Sequence, residues 1–202
     1  MGYPSPQMPA LRSWLLLVTW LVGGAASLGC ASVGGVSGAH VPSSPFMEAD
    51  KLLFEDGVDL IGEPDGLSGR WAEDWATELR DRVERSDLIA ILTVNTLRTE
   101  VSPDKRHTHW LVADVGDVLK GQYDGELGLP SMETSIGFST VERERANILH
   151  RPMVVFAKWV ADEAGVVRAH WHLAPATKNI VSAVRLSLAG APSETAIIEH
   201  TD

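Results

Sequence analysis

A chain of 202 residues with 45% hydrophobic residues is long enough for one ordinary domain plus extra segments, which excludes a disordered protein. Its 17 Lys and Arg against 27 Asp and Glu give a formal charge of -10, and a surface that acidic repels phosphate backbones, so no nucleic acid is expected as a partner. The single cysteine excludes an internal disulfide and any paired-cysteine metal or redox motif, leaving an unpaired or modified thiol.

The amino-terminal stretch "MGYPSPQMPALRS" carries Arg12, the only charged residue before Cys30. The apolar run "WLLLVTWLV" over 14–22 and the small residues "GGAAS" follow, and then Leu28, Gly29 and Cys30. A basic start, a short apolar run and a small-residue exit are the parts of a secretory signal peptide, whereas a membrane span needs about 20 apolar residues. The segment resembles the signal peptide of bacterial lipoproteins, whose lipobox ends in a small residue and then the cysteine, as Gly29 and Cys30 do here. Ser27 and Leu28 stand in the inverse of the usual order. The resemblance implies that 1–29 is removed, that Cys30 becomes a diacylglyceryl cysteine, and that the new amino terminus is fatty-acylated, as with palmitate. Several acyl chains at about 0.8 kcal/mol per buried CH₂ amount to stable anchoring, so the implied partner is a membrane. Ala31 and Ser32 replace the Asp that holds such lipoproteins at the inner membrane, which implies the outer membrane. Ordinary cleavage that leaves a stray cysteine, or an uncleaved helix, is the alternative, and Met8 offers a second start that would give a tighter signal peptide.

Residues 30–45 are rich in Gly, Ser, Val and Pro and read as a tether, whose fifteen residues after Cys30 reach at most about 50 Å. The acidic stretch 46–67 is expected to hold a short helix over 47–54 and otherwise a solvated loop. Its Asp56, Asp59, Glu63 and Asp65 lack the spacing of a calcium loop. A domain over 68–190 then opens with a helix in which Trp71, Trp75, Leu79 and Val83 share a face as core residues. Acidic residues crowd its start and arginines its end, matching the helix dipole.

Strands are expected over 87–97, 107–121 and 124–131. Ser139 and Glu142 read as a capping box that opens a helix over 140–149, two more strands follow over 152–161 and 166–175, and a helix ends at Gly190. A polar tail, 191–202, completes the chain. Three strands, a helix and two strands make the strand plan of the OB-fold, so the expected class is α+β: a small five-stranded antiparallel β-barrel with flanking helices. Through "RSDLIAILTV", "DVGDVLKG" and "RPMVVFAKWV" the region 85–185 resembles the netrin-like (tissue-inhibitor) variant, which implies terminal helices packed against the side of the barrel. The disulfides and free amino-terminal cysteine of the inhibitors are missing, so inhibition does not carry over.

Two His-x-His pairs are the sharpest candidates. His107 with His109, and His170 with His172, each project from one face of a strand at a spacing that suits a shared metal. No acidic or cysteine ligand stands at fixed spacing, so no metal and no cofactor is assigned. Arg168, His170 and His172 alternate with Trp171 and Leu173, and with His107 and His109 they make a candidate binding face, against the plainer reading of a solvated outer face. Nucleophile-elbow, zinc-protease and phosphate-loop motifs are lacking, and no catalytic residue is assigned. The expected function is a lipid-anchored envelope protein that presents a small barrel for binding or assembly. The alternatives are an envelope metal-binding or hydrolytic protein that uses the four histidines, and an inhibitor-like partner of an envelope enzyme.

Overall fold

The computed structural model describes residues 45–162 and 165–190. The signal-type segment, Cys30, the tether up to residue 44 and the tail 191–202 lie outside the described residues. Among the described residues no helix is long and apolar enough to cross a membrane.

In chain order the elements are α1 (Asp50–Leu53), β1 (Gly57–Val58), a 3-10 turn (Pro64–Gly66), α2 (Arg70–Arg85), β2 (Leu88–Val101), β3 (His107–Lys120), β4 (Glu126–Met132), α3 (Phe138–Arg143), α4 (Arg145–Ile148), β5 (Pro152–Ala161), β6 (Val167–Pro175) and α5 (Lys178–Leu188). The protein is mixed α+β, with one curled six-stranded sheet in the order β1-β6-β5-β2-β3-β4. Neighbours are antiparallel except β1 and β6, where Gly57 and Val58 run parallel to His172 and Leu173. Strands β2 to β5 lie in the order of a Greek key, the fourth returning to lie beside the first. Register shifts along β2 and β3 near Ala90 and Val94 add local twist, which curls these long strands into a half-barrel.

The curl divides the interior in two. The concave face gathers Leu92, Val94, Leu111, Leu129, Val155 and Trp171, and is closed from below by Val141 of α3 and Ile148 of α4. The convex face packs Ile89, Val154, Phe156 and Ala174 under Leu53 and Phe54, Leu79 and Val83 of α2, and Ile180 and Val184 of α5. Strand β5 is covered on both sides, which is why "MVVFA" shows no alternation between apolar and polar.

The expected elements appear in order, with three differences. The sheet has six strands, because 57–58, expected as loop, adds a parallel edge to β6. This edge needs small residues: a Cβ on Gly137 would fall 2.2 Å from the Gly57 Cα, so the start of α3 and β1 touch backbone to backbone. The capping box does not form. Helix α3 begins at Phe138 behind Gly137 with no side-chain cap, the Thr140 hydroxyl donates to the Gly137 carbonyl, and Ser139 sits inside the helix. Trp71 is 78% exposed rather than core. Only the later part of the apolar stripe, Leu79 and Val83, is buried against the sheet.

Candidate functional site

Residues 46–62 form a strap rather than a solvated loop. Asp56 and Asp59 donate backbone N–H groups to the Trp171 and Leu173 carbonyls, which zips the strap along β6. Four of its carboxylates turn toward the fold. Asp50, buried, accepts from Arg85 at 3.0 Å and from the Met47 N–H at 2.7 Å. Asp56, also buried, accepts from the Trp171 N–H at 3.1 Å, the Ser135 hydroxyl at 2.9 Å and His170 Nδ1 at 3.1 Å. Asp59 binds His172 Nε2 at 3.0 Å, and Glu55 Oε1 lies 3.4 Å from His172 Nδ1.

His172 is 1% exposed, with Phe156 of β5 beside it. Its Nδ1 makes no hydrogen bond of good geometry among the described residues, and the Glu55 carboxylate is its nearest acidic contact. Arg82, likewise buried, donates through Nε to the Leu53 carbonyl at 3.1 Å and through Nη2 to Glu78 at 3.2 Å, with Glu55 at 4.0 Å. Burial and the Arg82 guanidinium push the His172 pKa down, but the Asp59 and Glu55 carboxylates outweigh them and hold it above the ordinary histidine value. Burial raises the Asp59 pKa, and the His172 imidazole, the Ile61 N–H and Arg82 more than reverse this, so it lies below the usual carboxylate value.

The other sequence-derived candidates lie apart from this network. His109 is 3% exposed on the concave side, stacked on Phe138 with ring centroids 4.1 Å apart. Its Nδ1 meets the Thr99 hydroxyl at 2.9 Å, and Nε2 has no partner among the described residues. Burial, opposed by the Glu142 charge and assisted by Arg145 and His107, lowers its pKa. His107 is exposed, and Arg168 pairs with Asp162 at 3.5 Å on the surface. His109 shares the concave side with Leu111, whereas His170 and His172 stand on the side of β6 opposite Trp171, so the structure does not bring the two histidine pairs together. Among the described residues no group of three or more His, Cys, Asp or Glu is placed to hold a metal.

His170 and His172 do share one side of β6, as their spacing predicts, but that side is not a solvated face: the strap and helices cover it. His170 alone stays open, with its side chain 28% exposed. It lines a cleft of about 350 Å³ with Phe46, Lys51, Met132, Ser135 and Ile136. Sequence reasoning missed the partners Asp50, Glu55, Asp56, Asp59 and Arg82. The available signal was composition: acids interleaved with Leu53, Phe54 and Val58 are not the make-up of a solvated loop. No family model matches the chain, and no curated protein or solved structure matches it.

Proposed function

We propose that this chain is a lipid-anchored protein of the cell envelope, exported through 1–29, acylated at Cys30 and held at the outer membrane, whose domain serves binding or assembly. The observation that carries the reading is the order along the chain. An export-type segment ends in the only cysteine, a Gly, Ser and Pro tether follows, and the packed domain begins at Phe46, which leans on the core under the helices.

The domain is further read as a variant of the five-stranded netrin-like OB barrel. Supporting this are the Greek key of β2 to β5, the placement of α3 and α4 under the concave face, and the contact of α2 with α5 on the outside. Trp171 Nε1 also donates to the Pro130 carbonyl at 2.7 Å, and the Ser131 hydroxyl to the Asp56 carbonyl at 2.7 Å, joining β4, the strap and β6 by side-chain bonds. In this reading β1 is an addition at the open seam.

The anchor is tested with Cys30→Ser. Wild-type protein expressed in a bacterial envelope takes up labelled fatty acid and sediments with membranes, and the variant loses both. A variant that still sediments with membranes and keeps its label overturns the anchor. Crosslinking in intact envelopes then reads which protein, if any, the domain contacts.

A further inference from the structure

Asp56 has a left-handed backbone, φ 56°, a conformation uncommon for non-glycine residues but more accessible to aspartate than to most, and its hydrogen bonds hold it there. Its N–H donates to the Trp171 carbonyl at 2.8 Å, its carbonyl accepts from Ser131, and its carboxylate accepts from the Trp171 N–H and the Ser135 hydroxyl. What this fixed carboxylate then does is hold His170 Nδ1. A carboxylate only accepts, so Nδ1 carries a ring hydrogen, and in the tautomer with that single hydrogen Nε2 offers a lone pair. That atom has no partner among the described residues. Phe46 stacks on the ring at 4.7 Å and 22°, fixing its plane. Met132 and Ile136 are exposed apolar side chains lining the same cleft, and Lys51 on its rim is already paired with Glu48 at 2.7 Å.

We infer that this cleft binds small organic cations, with a primary ammonium donating to His170 Nε2 and an apolar body lying against Phe46, Met132 and Ile136. The lone pair calls for a donor, the Asp56 carboxylate directly behind the imidazole favours positive charge, and a chain of net charge -10 concentrates cations around it. An anionic ligand of the same shape meets both the lone pair and the carboxylate. The inference rests on the reading of the domain as a binding module and is independent of the anchor at Cys30.

The test titrates the full chain with phenethylamine at neutral pH, read by calorimetry and by the imidazole nitrogen signals of His170, with 3-phenylpropionate as the anion of similar body. The expected result is saturable binding of the amine that moves the His170 Nε2 signal, no binding of the carboxylate, and affinity about tenfold weaker in His170→Ala, the loss of one charge-assisted hydrogen bond. His170→Ala keeps the Ser135 and Trp171 bonds to Asp56. If it fails to fold, Ile136→Ser, at an exposed position, should weaken the amine without touching the imidazole. Absence of saturable amine binding, equal affinity for the carboxylate, or an affinity untouched by either variant overturns the inference. Each of these can occur while Cys30→Ser still releases the protein from membranes, so failure of the cleft and failure of the anchor are separate results.

Discussion

Two imidazoles of this domain are almost wholly removed from water, and their pKa values are pushed in opposite directions. His109 lies on the concave side against the Phe138 ring, with one hydroxyl partner and one bare nitrogen, and burial lowers its pKa. His172 lies on the convex side between two strap carboxylates, and they raise its pKa in spite of burial and Arg82. Depth alone therefore does not set the charge of a histidine; what faces it does. The first site is part of an apolar core. The second is the fastening of the strap to the sheet.

The largest break in this comparison is expected at Arg82. Its guanidinium ties α2 to the Leu53 carbonyl and sits beside Glu55 and Glu78, so Arg82→Met leaves a buried carbonyl and a poorly exposed carboxylate without their cation. Removing one member of a buried ionic group costs about 3–5 kcal/mol. Urea unfolding of the variant should show a loss of about 3 kcal/mol, and a loss under about 1 kcal/mol would mean that the strap is held by its backbone bonds and apolar contacts instead.

The contrast itself is sharpened by pH. His172 has a folded pKa above its unfolded one, so the folded state holds the extra proton. Its contribution is fully present below the ordinary histidine value of about 6.5 and is lost as pH rises through the raised value. Asp59 adds the lower edge: its depressed pKa gives stability present above about 3.9 and lost as pH falls through the folded value. His109 has the opposite sign from His172. Its lowered pKa makes the unfolded chain bind the proton first, so stability falls as pH drops below about 6.5. Unfolding free energy measured from acid to alkaline pH should therefore lose its decline above neutrality in His172→Gln and lose part of its acid-side decline in His109→Phe. Identical pH profiles for the two variants would show that the two pKa values are not shifted in opposite directions.

These two sites also mark how far the sequence could be read. The order of helices and strands was legible, since periods of 3.6 and 2 are local properties, and β5 matches its expected bounds at 152–161. Alternation likewise placed His170 and His172 on one side of β6. Pairing was not legible. Nothing local tells that a two-residue piece at Gly57 pairs parallel to a strand more than a hundred residues later, or that Asp56 and Asp59 would meet the histidines there. An acidic residue in a loop and one under a helix look alike until a partner on a distant strand is known. The seam between β4 and β6 escaped for the same reason, because it is held by Trp171 and Ser131 side chains rather than by a ladder.

The smallest effect is expected where the helical stripe failed. Trp71 shares the face of α2 that carries Leu79 and Val83, yet it is exposed, whereas those two lie against the sheet. An exposed side chain adds little apolar burial, so Trp71→Ser should change unfolding free energy by no more than about 0.5 kcal/mol, against about 2–5 kcal/mol for Leu79→Ala on the same face. Equal losses at the two positions would mean that Trp71 is covered in solution by chain outside the described residues or by a second copy. Sedimentation at two concentrations separates those cases, because only a second copy makes the loss depend on dilution.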